Sequence, residues 1–225
     1  MKTKLFSLFL GAALALSIVS CKKADLSTDK GKYSYAIGYN IGSNIKKDQI
    51  DLDVNTFMAA LEDALKGKEN ALSPQEVQQA MINLRMSMQA KMIKGAEENK
   101  VKGAAFLAAN KSKQGVKTTA SGLQYRVIKE GSGRRPAPAN QVTVHYSGKL
   151  IDGTEFDSSY SRNQPAQFRL NQVIRGWTEG LQLMTTGSKY ELVIPSELAY
   201  GPEGNQSIPG NSVLVFEVEL ISIDR

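Results

Sequence analysis

Five short blocks in the last third of the chain gather residues that could do chemistry. They are Val144-His145-Tyr146-Ser147-Gly148, then Gly153-Thr154-Glu155-Phe156-Asp157-Ser158-Ser159, then Val173-Ile174-Arg175-Gly176-Trp177, Ala199-Tyr200-Gly201 and Leu214-Val215-Phe216-Glu217-Val218-Glu219-Leu220. His145 is the sole histidine. A general acid–base role needs a partner within hydrogen-bond reach, and none is evident, so a structural or partly exposed histidine is expected. One histidine and one cysteine, Cys21, do not make a metal cluster at the usual nitrogen and sulfur ligand spacings. No phosphate-binding glycine motif and no Ser/His/Asp arrangement stands out. The blocks instead offer large apolar side chains with a few polar groups among them: Tyr146, Asp157 and Tyr200. Taken singly, aromatics at strand spacing are core residues, and Asp157-Ser158-Ser159 is a turn or a cap. Taken together, in this order, they point to a binding slot.

The elements that must position these residues follow from periodicity. From Gly122 onward apolar residues recur every second position: Leu123, Tyr125 and Val127, then Val142, Val144 and Tyr146, then Leu214, Phe216, Val218 and Leu220. Such alternation predicts antiparallel strands with one buried face. Trp177, Leu181 and Met184 fit one short helix closed by Gly187. A sheet wrapped around a short helix is an α+β arrangement.

Upstream the period is helical. Tyr35, Tyr39 and Gly42 sit at helical intervals within residues 32–47. Asp53 predicts the N-cap of a helix carrying Phe57, Leu61 and Leu65 and ended by Gly67. Ser73-Pro74-Gln75-Glu76 predicts a capping box with proline at the first helical position. The apolar stripe Val77, Met81, Leu84, Met88, Met92 predicts a helix over about 74–110, about 55 Å long at 1.5 Å per residue. Gly95 and Gly103 should weaken it by about 1 kcal/mol each relative to alanine. So long a helix cannot bury its length in a small domain, and a spacer or a dimer arm is expected. Residues 112–121 are polar and include Gly115, a hinge before the sheet.

Bulk properties bound the function. The 225 residues can hold two modest domains. The net charge of +6 comes without a dense Lys/Arg run, so nucleic acid is not indicated. Lys2 and Lys4 precede an apolar run from Leu5 to Val19 that is short for a membrane span and reads as a signal peptide over 1–20. A lone cysteine makes no internal disulfide. Ile18-Val19-Ser20-Cys21 resembles a bacterial lipobox, which implies cleavage before Cys21, its lipidation and a tether over 21–31; the alternative is an ordinary signal peptide with a chance cysteine. Each buried lipid methylene then contributes about 0.8 kcal/mol to anchoring.

Residues 118–225, with the five blocks in order, resemble the FKBP-type peptidyl-prolyl isomerases. Tyr35-Ala36-Ile37-Gly38-Tyr39, two helices and a long charged helix resemble the Mip-like two-domain subfamily, with a helical dimerisation domain over 32–111. The resemblance implies cis–trans isomerisation of X-Pro bonds in exported proteins, with no cofactor and no metal. It implies a homodimer through the N-terminal helices and a cell-envelope location, lipid-anchored at the outer membrane and facing the periplasm. It also implies the site: Asp157, Tyr200 and Tyr146 as catalytic residues, with Phe156, Arg162, Phe168, Val173, Ile174, Trp177, Ile208 and Phe216 binding substrate. Trp177 would be the floor. The Tyr200 hydroxyl and the Ile174 N–H would bond substrate carbonyls, and Asp157 would lie beside the rotating bond. Two positions depart from the family pattern: Ala166 stands where an aromatic wall is common, and Ser207 replaces a bulkier apolar residue. The slot is therefore expected to be wider, which keeps open a second reading as a chaperone-like binding module for unfolded chains.

Overall fold

The alternating segments form one antiparallel sheet. The computed structural model describes residues 24–48 and 50–224, so the expected signal segment 1–20 and Cys21 lie outside the described residues. The strands are β1 (Val116–Thr118), β2 (Gln124–Lys129), β3 (Gln141–Leu150), β4 (Glu155–Ser158), β5 (Ala166–Arg169), β6 (Lys189–Ile194) and β7 (Leu214–Asp224). Their order is β1-β2-β6-β7-β3-β4, with β5 also pairing β3. Period two decides which residues enter the core. β3 turns Val142, Val144 and Tyr146 inward, and β7 turns in Leu214, Phe216, Val218 and Leu220. The two strands pair along their length, with Tyr146 opposite Val218 and Gly148 opposite Phe216.

The other edge of β3 is divided. Residues 141–144 pair β5, and residues 147–149 pair β4. This brings the β4 residues Phe156 and Asp157 and the β5 residue Phe168 to either side of Tyr146.

One short helix, α4 (Arg175–Leu183), packs on the sheet. It stops at Leu183, short of Gly187, which lies in the turn before β6. Trp177 and Leu181 are buried, as is Met184 just past its end. The helix comes close because Gly176 and Gly180 face β6. A Cβ at these positions would approach Ile194 to 2.4 Å and Leu192 to 2.8 Å. With the preceding helices the class is α+β, as the periodicity predicts.

Those helices are α1 (Asp29–Lys47), α2 (Val54–Leu65) and α3 (Pro74–Lys111). Their starts are chemically marked. Asp53 accepts from the Thr56 N–H, and Ser73 and Glu76 form the reciprocal capping box with Pro74 in the first turn. The chain divides into two compact units, one reaching Asn70 and one from Ala71. In the first, α1 exposes Tyr33, Tyr35, Ile37 and Tyr39, and the Tyr35 and Tyr39 rings stack at 6.1 Å. In the second, α3 runs unbroken through Gly95 and Gly103 and docks its C-terminal part on the sheet. The Asn110 amide, buried, donates to Gln124 Oε1 at 2.9 Å, and the Gln124 amide donates to the Leu107 carbonyl at 2.9 Å. This part of the helix is thus not a bare spacer. The apolar stripe fades after Met92, and the docking is made by glycine and amide side chains, which hydrophobic periodicity does not detect. No helix among the described residues is long and apolar enough to cross a membrane.

Candidate active site

The site begins at Tyr146. The pleat of β3 points its side chain into the core, leaving it 3% exposed. Around it the rings meet edge to face or tilted, the arrangement that the aromatic quadrupole favours. The Trp177 ring lies 5.1 Å from that of Tyr146, 5.2 Å from Phe216 and 5.3 Å from Phe168. Phe156 stands on Phe216 at 5.5 Å. Trp177 enters from the first turn of α4 and is buried beneath the others. Val173 and Ile174, just before that helix, pack half-buried against the same cluster, and buried Ile208 joins it from the loop after Tyr200. Ile174 is the N-cap of α4, where backbone N–H groups have no acceptor within the helix.

A charged group stands at the rim of this apolar cluster. The Tyr146 hydroxyl donates to Asp157 Oδ2, and Arg162 Nη1 donates to Asp157 Oδ1. Arg162 Nη2 also donates to the Tyr146 hydroxyl at 2.9 Å. The three side chains close a ring of hydrogen bonds. Burial raises the Asp157 carboxyl, but the bonds from Tyr146 and Arg162 and the Arg162 charge outweigh it, and the net pKa lies below the ordinary carboxylate value. Burial, and then the bond to Asp157, push the Tyr146 hydroxyl up to about 12. Tyr200 is half-exposed, and its hydroxyl is raised by burial and then by the Asp157 charge. At neutral pH the site therefore holds a carboxylate, two neutral phenols and a guanidinium. Neither phenol is activated as a nucleophile, since both are raised rather than lowered.

The expected residues come together in two linked sets. Tyr146, Asp157 and Arg162 are hydrogen-bonded, while Phe156, Phe168, Trp177 and Phe216 form the ring cluster with Val173, Ile174 and Ile208 against it. Tyr200 connects to the first set through the charge of Asp157. His145 points to the other face of β3. Its Nδ1 is 2.9 Å from Ser159 Oγ and its ring stacks on Tyr160 at 4.7 Å, a structural role. Ala166 lies in β5 opposite Val144, and Ser207 is exposed.

Two residues matter here without a sequence signal of their own. Ser159 is fully buried, and its Oγ accepts from the Tyr146 N–H at 2.8 Å while its own N–H donates to the Tyr146 carbonyl at 2.9 Å. Asn205 Oδ1 accepts from the N–H groups of Ser207 and Ile208, both at 2.8 Å. A serine after Asp157 and an asparagine in a Gly/Pro-rich loop read only as turn residues.

Comparison with known proteins identifies the family. Residues 132–221 match the model of the FKBP-type peptidyl-prolyl cis-trans isomerase, and residues 30–127 match that of the domain amino terminal to FKBP-type peptidyl-prolyl isomerase. The chain is 41% identical to outer membrane protein MIP of Legionella longbeachae, covering 100% of this chain and 99% of that protein. It is 42% identical to peptidyl-prolyl cis-trans isomerase Mip of Coxiella burnetii, over 96% of each. The crystal structure of FkpA from Escherichia coli aligns with a TM-score of 0.66 at 42% identity, covering 88% of this chain and 98% of that one. The chain belongs to the FKBP-type peptidyl-prolyl cis-trans isomerases, in the Mip-like subfamily, and is an isomerase of X-Pro bonds.

Proposed function

We propose that the protein accelerates isomerisation by holding the proline ring in the Tyr146–Phe156–Trp177–Phe216 slot while Asp157, Tyr146 and Arg162 line the path of the turning amide. Twisting a peptide bond costs about 18–20 kcal/mol because resonance is lost. The two end states of an X-Pro bond differ by only about 0.5–1 kcal/mol. A catalyst therefore need only bind the twisted form better than either planar one. Planar amides are strongly polarised. An apolar slot that strips water from the carbonyl disfavours that polarised form relative to the twisted one. Tyr200 and the Ile174 N–H act as donors to the flanking carbonyls, and fixed donors cost no reorganisation as the bond turns. The observation that carries this reading is the hydrogen-bonded ring of Asp157, Tyr146 and Arg162 on the rim of a buried aromatic cluster. Cis–trans relaxation of an apolar-X-Pro peptide by the chain from Lys22 onward tests it, and relaxation at the uncatalysed rate would sink it.

The same reading places the protein in the cell envelope, acting on exported chains. Its support is the apolar run Leu5–Val19 before Cys21 and the relative named as an outer membrane protein. Lipidation at Cys21 and anchoring at the outer membrane are part of the proposal. Mass spectrometry of the membrane fraction tests them, and an unmodified Cys21 would remove the anchor. A homodimer through the N-terminal helices is supported by the exposed Tyr33, Tyr35, Ile37 and Tyr39 of α1. Sedimentation as a monomer would refute it. A second reading, a binding surface for unfolded chains, is favoured by exposed Met81, Met86 and Met92 on α3, since methionine adapts to varied partners. It requires aggregation suppression that survives Asp157→Ala.

A further inference from the structure

The loop Gly201–Val213 follows directly on Tyr200 and carries Ile208, which is buried in the aromatic cluster. Nothing in isomerase chemistry requires a distant helix, yet α3 touches this loop with paired amides. The Asn99 side-chain amide donates to the Gly210 carbonyl at 3.1 Å. In return the Asn211 side-chain amide donates to the Ala96 carbonyl at 3.1 Å. Helix side chain meets loop backbone, and loop side chain meets helix backbone.

The contact is built for close approach. Ala96, Asn99 and Gly103 are three and four apart and share one helix face. A Cβ on Gly210 would come within 2.0 Å of the Pro202 carbonyl oxygen and 3.1 Å of the Ala96 methyl. A Cβ on Gly103 would come within 2.8 Å of the Val213 side chain, which is buried. Asn211 itself has a left-handed backbone, φ 56°, and its N–H donates to the Gly201 carbonyl at 2.8 Å. That bond ties the end of the loop to the residue beside Tyr200. Within the loop, the Asn205 N–H donates to the Ile208 carbonyl at 2.8 Å. Hydrogen bonds thus run from α3 through Asn211 to Gly201, and through Asn99 to Gly210, two residues past Ile208.

We infer that Asn99 and Asn211 are positioning residues for isomerisation, a clamp by which α3 holds the loop bearing Ile208 and flanking Tyr200 against the slot. This rests on the isomerase reading above. The long helix then supplies part of the pocket's rigidity.

The test is made in the full chain from Lys22 onward with Asn99→Asp, which keeps the shape and removes the donor. Asn211→Gly keeps the left-handed backbone and its N–H while removing the amide side chain. Asn99→Gln restores an amide. Steady-state isomerisation, amide hydrogen exchange and thermal unfolding are read on each. In Asn99→Asp and Asn211→Gly, KM should rise about three- to tenfold with a smaller change in kcat, as loss of a binding wall requires. Exchange at the Ser207 and Ile208 amides should speed up about tenfold or more while the β3 and β7 amides hold. Asn99→Gln should recover part of both. Unchanged KM and unchanged loop exchange in folded variants would overturn the clamp. So would exchange that rises evenly over the sheet, which marks general destabilisation. An inactive parent chain would refute the isomerase reading, and loop exchange would still decide whether the clamp exists.

Discussion

Asp157→Ala separates the contribution of the carboxylate to folding from its contribution to turnover. In the fold it accepts from a hydroxyl whose residue is 3% exposed and from a half-exposed guanidinium. The first bond is charge-assisted, so its loss costs about 1.5–3 kcal/mol. The second joins side chains 51% and 42% exposed, and an ion pair so placed is worth about 0–1 kcal/mol. Arg162 still reaches the Tyr146 hydroxyl at 2.9 Å, but only as a donor, so that hydroxyl's own proton is left without its acceptor. The loss should total about 1.5–4 kcal/mol, out of the 5–15 kcal/mol typical of a domain, and the variant stays folded. Trp177 is the single tryptophan and lies in the cluster, so its fluorescence reports urea unfolding at the site itself. At a temperature where both proteins are folded, kcat/KM for an apolar-X-Pro peptide should fall at least about tenfold, equal to about 1.4 kcal/mol of transition-state binding. A stability loss of about 1.5–4 kcal/mol with unaltered kcat/KM would make Asp157 a structural rim residue only and refute its place beside the turning bond. A stability loss under about 0.5 kcal/mol would refute the hydrogen-bond argument.

Three further outcomes follow from the same geometry. The pKa of Asp157 is depressed on folding, so its contribution to stability is fully present above the unfolded carboxylate pKa of about 3.9 and is lost as pH falls through the lower folded value. Isomerisation should then be flat from about pH 5 to 9, with Tyr146 neutral throughout, and an inflection near neutrality would contradict the assignment. Gly148→Ala sets a Cβ 2.6 Å from Phe216 and 2.8 Å from Phe156. It should cost about 1–3 kcal/mol in urea unfolding and lower kcat/KM by displacing two rings of the proposed slot, whereas full activity would show that these rings do not shape it. Ser73→Ala removes one half of the capping box and should cost about 1 kcal/mol of helix stability. Peptide turnover should not change, and a drop in kcat/KM without a stability loss would contradict the capping role.

What could be read from the chain depended on whether a feature is periodic, local or tertiary. β3 and β7 were legible because their inner faces alternate strictly, and α3 began where Ser73, Pro74 and Glu76 said it would. β6 has a blurred signature: Tyr190 and Leu192 alternate, but Val193 and Ile194 are buried side by side, so period two is lost at its end. The site was legible only as a set, because Tyr146, Trp177 or Phe216 alone is indistinguishable from core, and each is in fact buried like core. The docking of α3 was not legible. It uses Gly103 and Asn110, residues that read as weak points in a helix, and their value appears only when Val213 and Gln124 arrive from far along the chain.

The same tertiary logic explains why the aromatic cluster forms around Tyr146 and not elsewhere on the sheet. One edge of β3 passes from β5, paired through Val144, to β4, paired from Ser147. Between them Tyr146 has no strand partner on that side, and its N–H and carbonyl there would be buried without partners, which folded proteins avoid. Ser159 fills that need with its side chain and its own N–H. A residue that caps a backbone notch in this way lets the two strands splay from β3 without leaving a polar defect. β4 then delivers Phe156 and Asp157, and β5 delivers Phe168, around one tyrosine. On this argument the aromatic cluster proposed as the slot is the consequence of a change of strand partner, and the buried serine makes that change tolerable.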